Sequence, residues 1–217
     1  MNGRFDDRAA AGRALAARFA ATRFLAPPLV LALPRGGVPV AAEVALALKA
    51  PLDLLLVRKI GAPLQPELAV AAVVDGASPE IVVDEETAAL AGADRAYIER
   101  EAALELREIE RRRRVYLGDR PPPVLTGRTV IVVDDGVATG TTVRAALKAL
   151  RRQHPARIVL AFAVGPADTV AALRSEADEV VCLMEPAEFH AVGLHYRDFH
   201  QVGDDEVVAA LRAAVPL

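Results

Sequence analysis

Val130-Ile131-Val132-Val133-Asp134-Asp135-Gly136-Val137-Ala138-Thr139-Gly140-Thr141-Thr142 is the stretch that decides the fold class of this chain. Four β-branched apolar residues in a row do not alternate between core and water. They describe a strand buried on both faces, as in a parallel sheet covered by helices. Two carboxylates then stand at the C-terminal end of that strand, the end at which open α/β sheets bind ligands. Small and hydroxyl-bearing residues follow, and Thr141 to Arg152 reads as a helix. A helix N-terminus presents backbone N–H groups without partners, which makes it an anion site. Thr139, Thr141 and Thr142 add hydroxyl donors, and Gly140 permits close approach of the backbone. Acceptors for sugar hydroxyls therefore lie beside donors for a phosphate, which is the polarity of a ribose 5-phosphate.

Upstream, Leu29 to Leu33 is a short apolar run bounded by prolines, a second candidate for a buried strand. Leu33-Pro34-Arg35-Gly36-Gly37-Val38-Pro39 follows it, and Val38 to Lys49 reads as a helix with Pro39 in its first turn. Two glycines next to an arginine before a helix make a second anion turn. Leu52 to Val57 is another apolar run, so the chain opens as β-α-β after an amphipathic helix predicted over Asp6 to Leu25. Arg58-Lys59 closes that run, which would set a basic pair at a strand end facing the same crevice.

Downstream, Arg157 to Val164 and Glu179 to Met184 read as strands, and Pro166 to Arg174 and Asp204 to Ala213 as helices. This alternation predicts an α/β fold, a mostly parallel twisted sheet with helices on both faces. The middle differs. Leu68 to Val74 and Ile81 to Val83 flank the turn-rich Asp75-Gly76-Ala77-Ser78-Pro79, as in a hairpin. Asp94 to Tyr116 reads as a long charged helix, ended by Gly118 and the prolines Pro121 to Pro123. Arg111 to Arg114 at its end suits the negative helix C-terminus and is expected to be solvated. We expect one domain over residues 1–217, with an insert or lid over 60–123 and a C-terminal hood segment over 185–217.

Composition narrows the function classes. The formal net charge is -3, from 26 basic and 29 acidic side chains, which argues against a nucleic-acid or membrane binder. Cys182 is the only cysteine, so no disulfide forms within the chain and a reducing compartment is favoured; its apolar neighbours place it in the core. No uninterrupted apolar segment follows Arg4, Asp6, Asp7 and Arg8, and none approaches a membrane span, so a cytoplasmic location is expected. The chain has no G-x-x-x-x-G-K-[ST], the motif of P-loop NTPases, and no G-x-G-x-x-G after its first strand, the motif of dinucleotide folds.

The run from Val130 to Thr142 resembles the signature of type I phosphoribosyltransferases, which bind phosphoribosyl diphosphate (PRPP). The resemblance implies that family's fold, with a small hood or lid subdomain. It also implies transfer of ribose 5-phosphate to a nitrogen nucleophile such as a nucleobase, with release of pyrophosphate. Asp134 and Asp135 would take the ribose hydroxyls, and Ala138, Thr139, Gly140, Thr141 and Thr142 would cradle the 5-phosphate. Arg35, Gly36, Gly37, Arg58 and Lys59 would hold the pyrophosphate, with Arg35 and Lys59 stabilising its departure. Mg2+ would be carried by PRPP near the two acids, with no direct protein ligand. The Arg35-Gly36 peptide would be a non-proline cis bond, and Ile60 to Pro66 would begin a loop that closes over PRPP.

Phe189 or Tyr196 would stack on the base. His190, His195 and His200 recur every five residues, which does not align them on one helix face as a metal cluster requires. Enzymes acting on 6-oxopurines commonly carry an Asp where this chain has Ala138, so hypoxanthine and guanine are disfavoured as acceptors. The expected partners are PRPP and a small nitrogen acceptor, and homo-oligomers are common in the family. Two alternatives keep the same site: a non-catalytic PRPP- or nucleotide-sensing regulator, and a hydrolase of a phosphorylated sugar.

Overall fold

The computed structural model of the chain describes residues 3–24, 26–76 and 79–214. Leu25, the expected end of the first helix, and Ala77 and Ser78 of the expected turn lie outside them, as do residues 1–2 and 215–217 of the expected domain limits. Among the described residues no helix is long and apolar enough to cross a membrane.

Helix α1 spans Arg8–Arg18, and the Asp7 carboxylate caps it by accepting from the Ala10 amide. Strand β1 (Leu29–Ala32), helix α2 (Gly37–Leu48) and strand β2 (Leu52–Leu54) form the opening β-α-β unit. Strand β6 (Thr129–Asp134) leads into helix α5 (Thr141–Arg152). Strand β7 (Arg157–Val164), helix α6 (Ala167–Leu173), strand β8 (Glu179–Met184) and helix α7 (Asp204–Ala213) complete the main body. The five strands lie parallel in the order β2-β1-β6-β7-β8. From β1 the chain crosses to β2 on one side, and from β6 it crosses to β7 on the other. The order therefore reverses between β1 and β6, and a crevice opens at their C-terminal ends.

The apolar run of β6 is buried as its composition demands. Ile131 and Val133 face a core shared with α1, α2 and α7, while Val130 and Val132 face α5 and α6. Burying each such side chain contributes about 1.5–3 kcal/mol. This double burial pins the register of β6 against β1, with Leu29 opposite Val130 and Ala32 opposite Val133. The acid pair is thereby set beside the turn that follows β1.

The run from Leu52 to Val57 is not one strand. Strand β2 stops at Leu54, and Val57 opens strand β3 (Val57–Ala62) of a second, antiparallel sheet with β4 (Gln65–Val74) and β5 (Glu80–Val83). Leu55 and Leu56 between them are buried, so the apolar stretch from Leu54 to Val57 carries no mark of the boundary. One face of the small sheet, with Ile60, Ala71 and Val73, belongs to the core that includes Ile98 and Ile109. The other, with Ala72, Val74 and Val82, packs toward Val143 and Leu147 of α5. Both faces are covered.

A short helix α3 (Glu85–Leu90), capped by Asp84, had no sequence signal of its own length. The long helix α4 (Arg95–Leu117) is capped by Asp94 and buries Ala102, Ile109 and Tyr116, a stripe of heptad spacing along a charged helix. One residue of its arginine run is not solvated: Arg113 turns inward to pair with buried Asp75 at 2.7 Å. Cys182 is half-buried in β8, and burial pushes its thiol up to about 11.

Candidate active site

The crevice between β1 and β6 is lined by two turns of backbone. The first runs from the end of β6 into α5. Gly140 caps α5 in the left-handed conformation, with φ 76°, and no side chain caps the helix. The Ala138 carbonyl accepts from the Thr169 hydroxyl at 2.9 Å, and the Thr139 carbonyl from Arg144 Nη1 at 3.2 Å. With their carbonyls held from behind, the amides of Ala138 to Thr142 meet no acceptor among the described residues. They ring a cavity of about 180 Å³ lined by Asp134 and by Gly136 to Val143. All the residues expected to cradle a phosphate are thus brought together. Thr169 and Arg144 brace the loop, and neither carries a sequence signal because each binds a backbone carbonyl. A larger apolar groove of about 440 Å³, between β5, α3 and α4, lies apart from this chemistry.

The second turn follows β1. A Cβ on Gly37 would fall 2.7 Å from the Val133 carbonyl and 2.9 Å from Asp134 Cα, and one on Gly36 would collide with the Asp135 carboxylate. Glycine at both positions is what lets this turn lie against the end of β6. Leu33 N–H donates to the Val133 carbonyl, and the amides of Arg35 and Gly36 meet no acceptor among the described residues. The cis peptide is Pro34-Arg35, one residue before the Arg35-Gly36 bond expected from the sequence. Gly36 instead has helical angles that lead into α2.

The side chains of the predicted site are distributed less simply. Asp134 lines the cavity, with its Oδ1 accepting from the Asp135 amide at 2.8 Å. Asp135 is buried and its carboxylate turns the other way, to Arg8 Nε at 2.8 Å. Arg35 reaches Asp204 Oδ1 at 3.4 Å, and that carboxylate also accepts from the Tyr116 hydroxyl at 2.6 Å. The Tyr116 hydroxyl holds Asp204 below the ordinary carboxylate range, and burial with Asp204 beside it pushes Tyr116 up to about 12. Arg58 and Lys59 do not form a basic pair at a strand end. They sit within β3, where successive side chains point to opposite faces. Arg58 pairs with Glu105 of α4 at 2.6 Å, while Lys59 pairs with Glu67 of the hairpin at 2.7 Å.

The C-terminal segment crosses over the cavity's edge. Val192, in a 3-10 turn over Val192–His195, packs where a Cβ on Gly136 would go. Phe189 is half-buried and stacks on His195, with centroids 5.7 Å apart and an interplanar angle of 12°. Tyr196 does not offer a ring to a ligand. It is 3% exposed, packed between Phe5 and Phe199, and its hydroxyl donates to the Asp135 carbonyl at 2.6 Å. Its apolar ring and polar tip are both satisfied inside the protein.

Burial, and then the neighbouring Asp135 charge, push Asp134 well above the ordinary carboxylate value. A carboxyl whose folded-state value is raised contributes stability at low pH that is lost as pH rises through that value. Asp134→Asn removes the titration. The variant is therefore expected to melt above the wild type at pH 8, with the gap narrowing toward pH 5. Melting curves at the two pH values check this, and a gap independent of pH would show that Asp134 is not so perturbed.

Comparison with known proteins places the chain by family and fold. The family model described as "Phosphoribosyl transferase domain" matches residues 5–197. The Mycobacterium tuberculosis (strain CDC 1551 / Oshkosh) protein named "Putative phosphoribosyl transferase MT0597" is 48% identical over 210 residues, 97% of this chain and 47% of that protein. The chain thus spans about half the length of the curated relatives it matches. The crystal structure of TT1426 from Thermus thermophilus superposes with a TM-score of 0.80 at 46% identity, covering 96% of this chain and 97% of that one.

Proposed function

On the premise that this chain belongs to the phosphoribosyl transferase domain family and has the type I fold, we propose that it transfers ribose 5-phosphate from PRPP to a nitrogen nucleophile. The observation that carries the reading is the pairing of Asp134 with an unpartnered amide cradle at the point where the strand order reverses. In this reading the N–H groups of Ala138 to Thr142 and the α5 N-terminus bind the 5-phosphate, and Asp134 accepts from the ribose hydroxyls. The free amides of Arg35 and Gly36 face the diphosphate, and Gly37 seats that turn. The sugar carbon–oxygen bond to pyrophosphate breaks with its electron pair leaving on oxygen, while the acceptor nitrogen forms the new bond.

Positioning and fixed dipoles do most of the catalytic work in such a step, because charge moves but no protein nucleophile is needed. Asp134 is a hard oxygen donor at the cavity, the donor type that Mg2+ takes. Magnesium carried with PRPP beside Asp134 would neutralise charge on the leaving group. Lys59 exchanges Glu67 for the pyrophosphate, and Arg35 exchanges Asp204. Arg58 remains on the α4 side. The β3–β4 hairpin, whose tip residue Leu64 is 93% exposed, serves as the lid. Phe189, stacked on His195 beside Val192, marks the acceptor side.

A panel of purine and pyrimidine bases with PRPP and Mg2+, read by pyrophosphate release, tests the proposal. Release that depends on one base, with hypoxanthine and guanine poor acceptors beside Ala138, is the expected result. Release without any base would favour a hydrolase. Tight PRPP binding without turnover would favour a sensor.

A further inference from the structure

Arg8 opens α1, far from the motif in sequence, yet its side chain is buried at the switch point. Its Nε donates to Asp135 Oδ2 at 2.8 Å, its Nη1 donates to the His200 carbonyl at 2.8 Å, and its guanidinium lies 3.8 Å over the Phe199 ring. Tyr196 holds the same aspartate from the other side, donating to the Asp135 carbonyl at 2.6 Å. Asp135 Oδ2 and the Asp135 carbonyl are therefore both engaged inside the protein. Its backbone amide donates to Asp134 Oδ1 at 2.8 Å. Asp134 lines the 180 Å³ cavity and Asp135 does not.

We propose that Arg8 is a positioning residue that sets the carboxylate of Asp134 toward the ribose by holding Asp135, whose side chain serves this clamp and not the sugar. The inference rests on the PRPP reading above and divides the acid pair into a ligand-facing member and a structural one. Physical asymmetry supports the division. A buried guanidinium with three partners is costly to leave uncompensated, so Asp135 stays on Arg8. Asp134 has no cationic side chain bonded to it and keeps Oδ2 for the cavity. The clamp also ties α1 and the segment from Tyr196 to His200 to the motif, so the acceptor-side segment and the ribose acid are oriented by one group.

The clamp predicts which ligand senses it. PRPP contains the ribose that meets Asp134. Inorganic pyrophosphate with Mg2+ lacks the ribose and meets the turn after β1 with the Arg35 and Lys59 side chains. Calorimetric titration of both ligands into the wild type, Arg8→Met, Arg8→Lys and Asp135→Asn is the test, at a temperature where melting curves show each variant folded. Arg8→Met is expected to weaken PRPP roughly five- to tenfold, the scale of one mis-set hydrogen bond, and pyrophosphate by less than about twofold. Arg8→Lys keeps one bond to Asp135 and should recover most of the loss, and Asp135→Asn should follow Arg8→Met. Equal weakening of both ligands, or unchanged PRPP affinity in a folded Arg8→Met, overturns the clamp. If Arg8→Met does not fold, Arg8→Lys and Asp135→Asn carry the same comparison. A folded wild type that binds pyrophosphate but not PRPP sinks the phosphoribosyl reading itself, and the clamp with it.

Discussion

Asp134→Asn is expected to weaken PRPP binding by about 30–100-fold, the cost of removing the carboxyl acceptor from a desolvated hydrogen bond to ligand. The carboxyl group lines the cavity beside five amides that have no acceptor among the described residues, so it sets an acceptor next to a row of backbone donors. Asparagine keeps the shape and offers one weaker acceptor. Calorimetry with Mg2+ present measures the loss, and an affinity within twofold of the wild type would remove Asp134 from the ribose. The same substitution should raise the melting temperature at alkaline pH, because the carboxylate is held against its own desolvation. Weaker binding together with greater stability is the signature of a group kept for ligand and not for folding.

Gly37→Ala is the second large effect. The added methyl has no flexible neighbour to displace, since the nearest atoms are the Val133 carbonyl oxygen and Asp134 Cα, both backbone atoms of the strand end. Either the turn after β1 or the end of β6 must move. Overpacking of this kind costs about 1–3 kcal/mol, which for a chain of this size lowers the melting temperature by on the order of 5 °C. The functional loss should exceed the stability loss, because the amides of Arg35 and Gly36 move with the turn. A Gly37→Ala protein that melts like the wild type and binds magnesium pyrophosphate equally well would contradict the close approach that the fold requires there.

Much of the architecture was legible before any coordinates. Four predicted elements, Thr141 to Arg152, Arg157 to Val164, Glu179 to Met184 and Asp204 to Ala213, match helix α5, strands β7 and β8 and helix α7 at both ends. In each the hydrophobic period and the flanking turn residues agree. The reading failed where local pattern carries no boundary. Leu54 to Val57 is uniformly apolar, yet it joins two sheets because β2 is an edge strand only three residues long. That split moved Arg58 and Lys59 off the crevice wall and onto opposite faces of a small sheet. Arg113 looked like one more solvated charge on a helix end, and only the fold brings Asp75 beneath it.

What the sequence determined by itself is the pair of turns with free backbone N–H groups. A buried β-branched strand, a glycine cap and a helix start are properties of a dozen neighbouring residues, and unpaired helix N–H groups follow from backbone geometry alone. What only the tertiary structure decided is the division of labour between the two acids. Asp134 and Asp135 are adjacent and chemically identical. They are told apart by Arg8, 127 residues away, and by Tyr196, 61 residues away, one gripping the carboxylate and the other the carbonyl of the same aspartate. A charged side chain is committed by whichever opposite charge the fold delivers into the same dry volume, and no local pattern along the chain encodes that meeting.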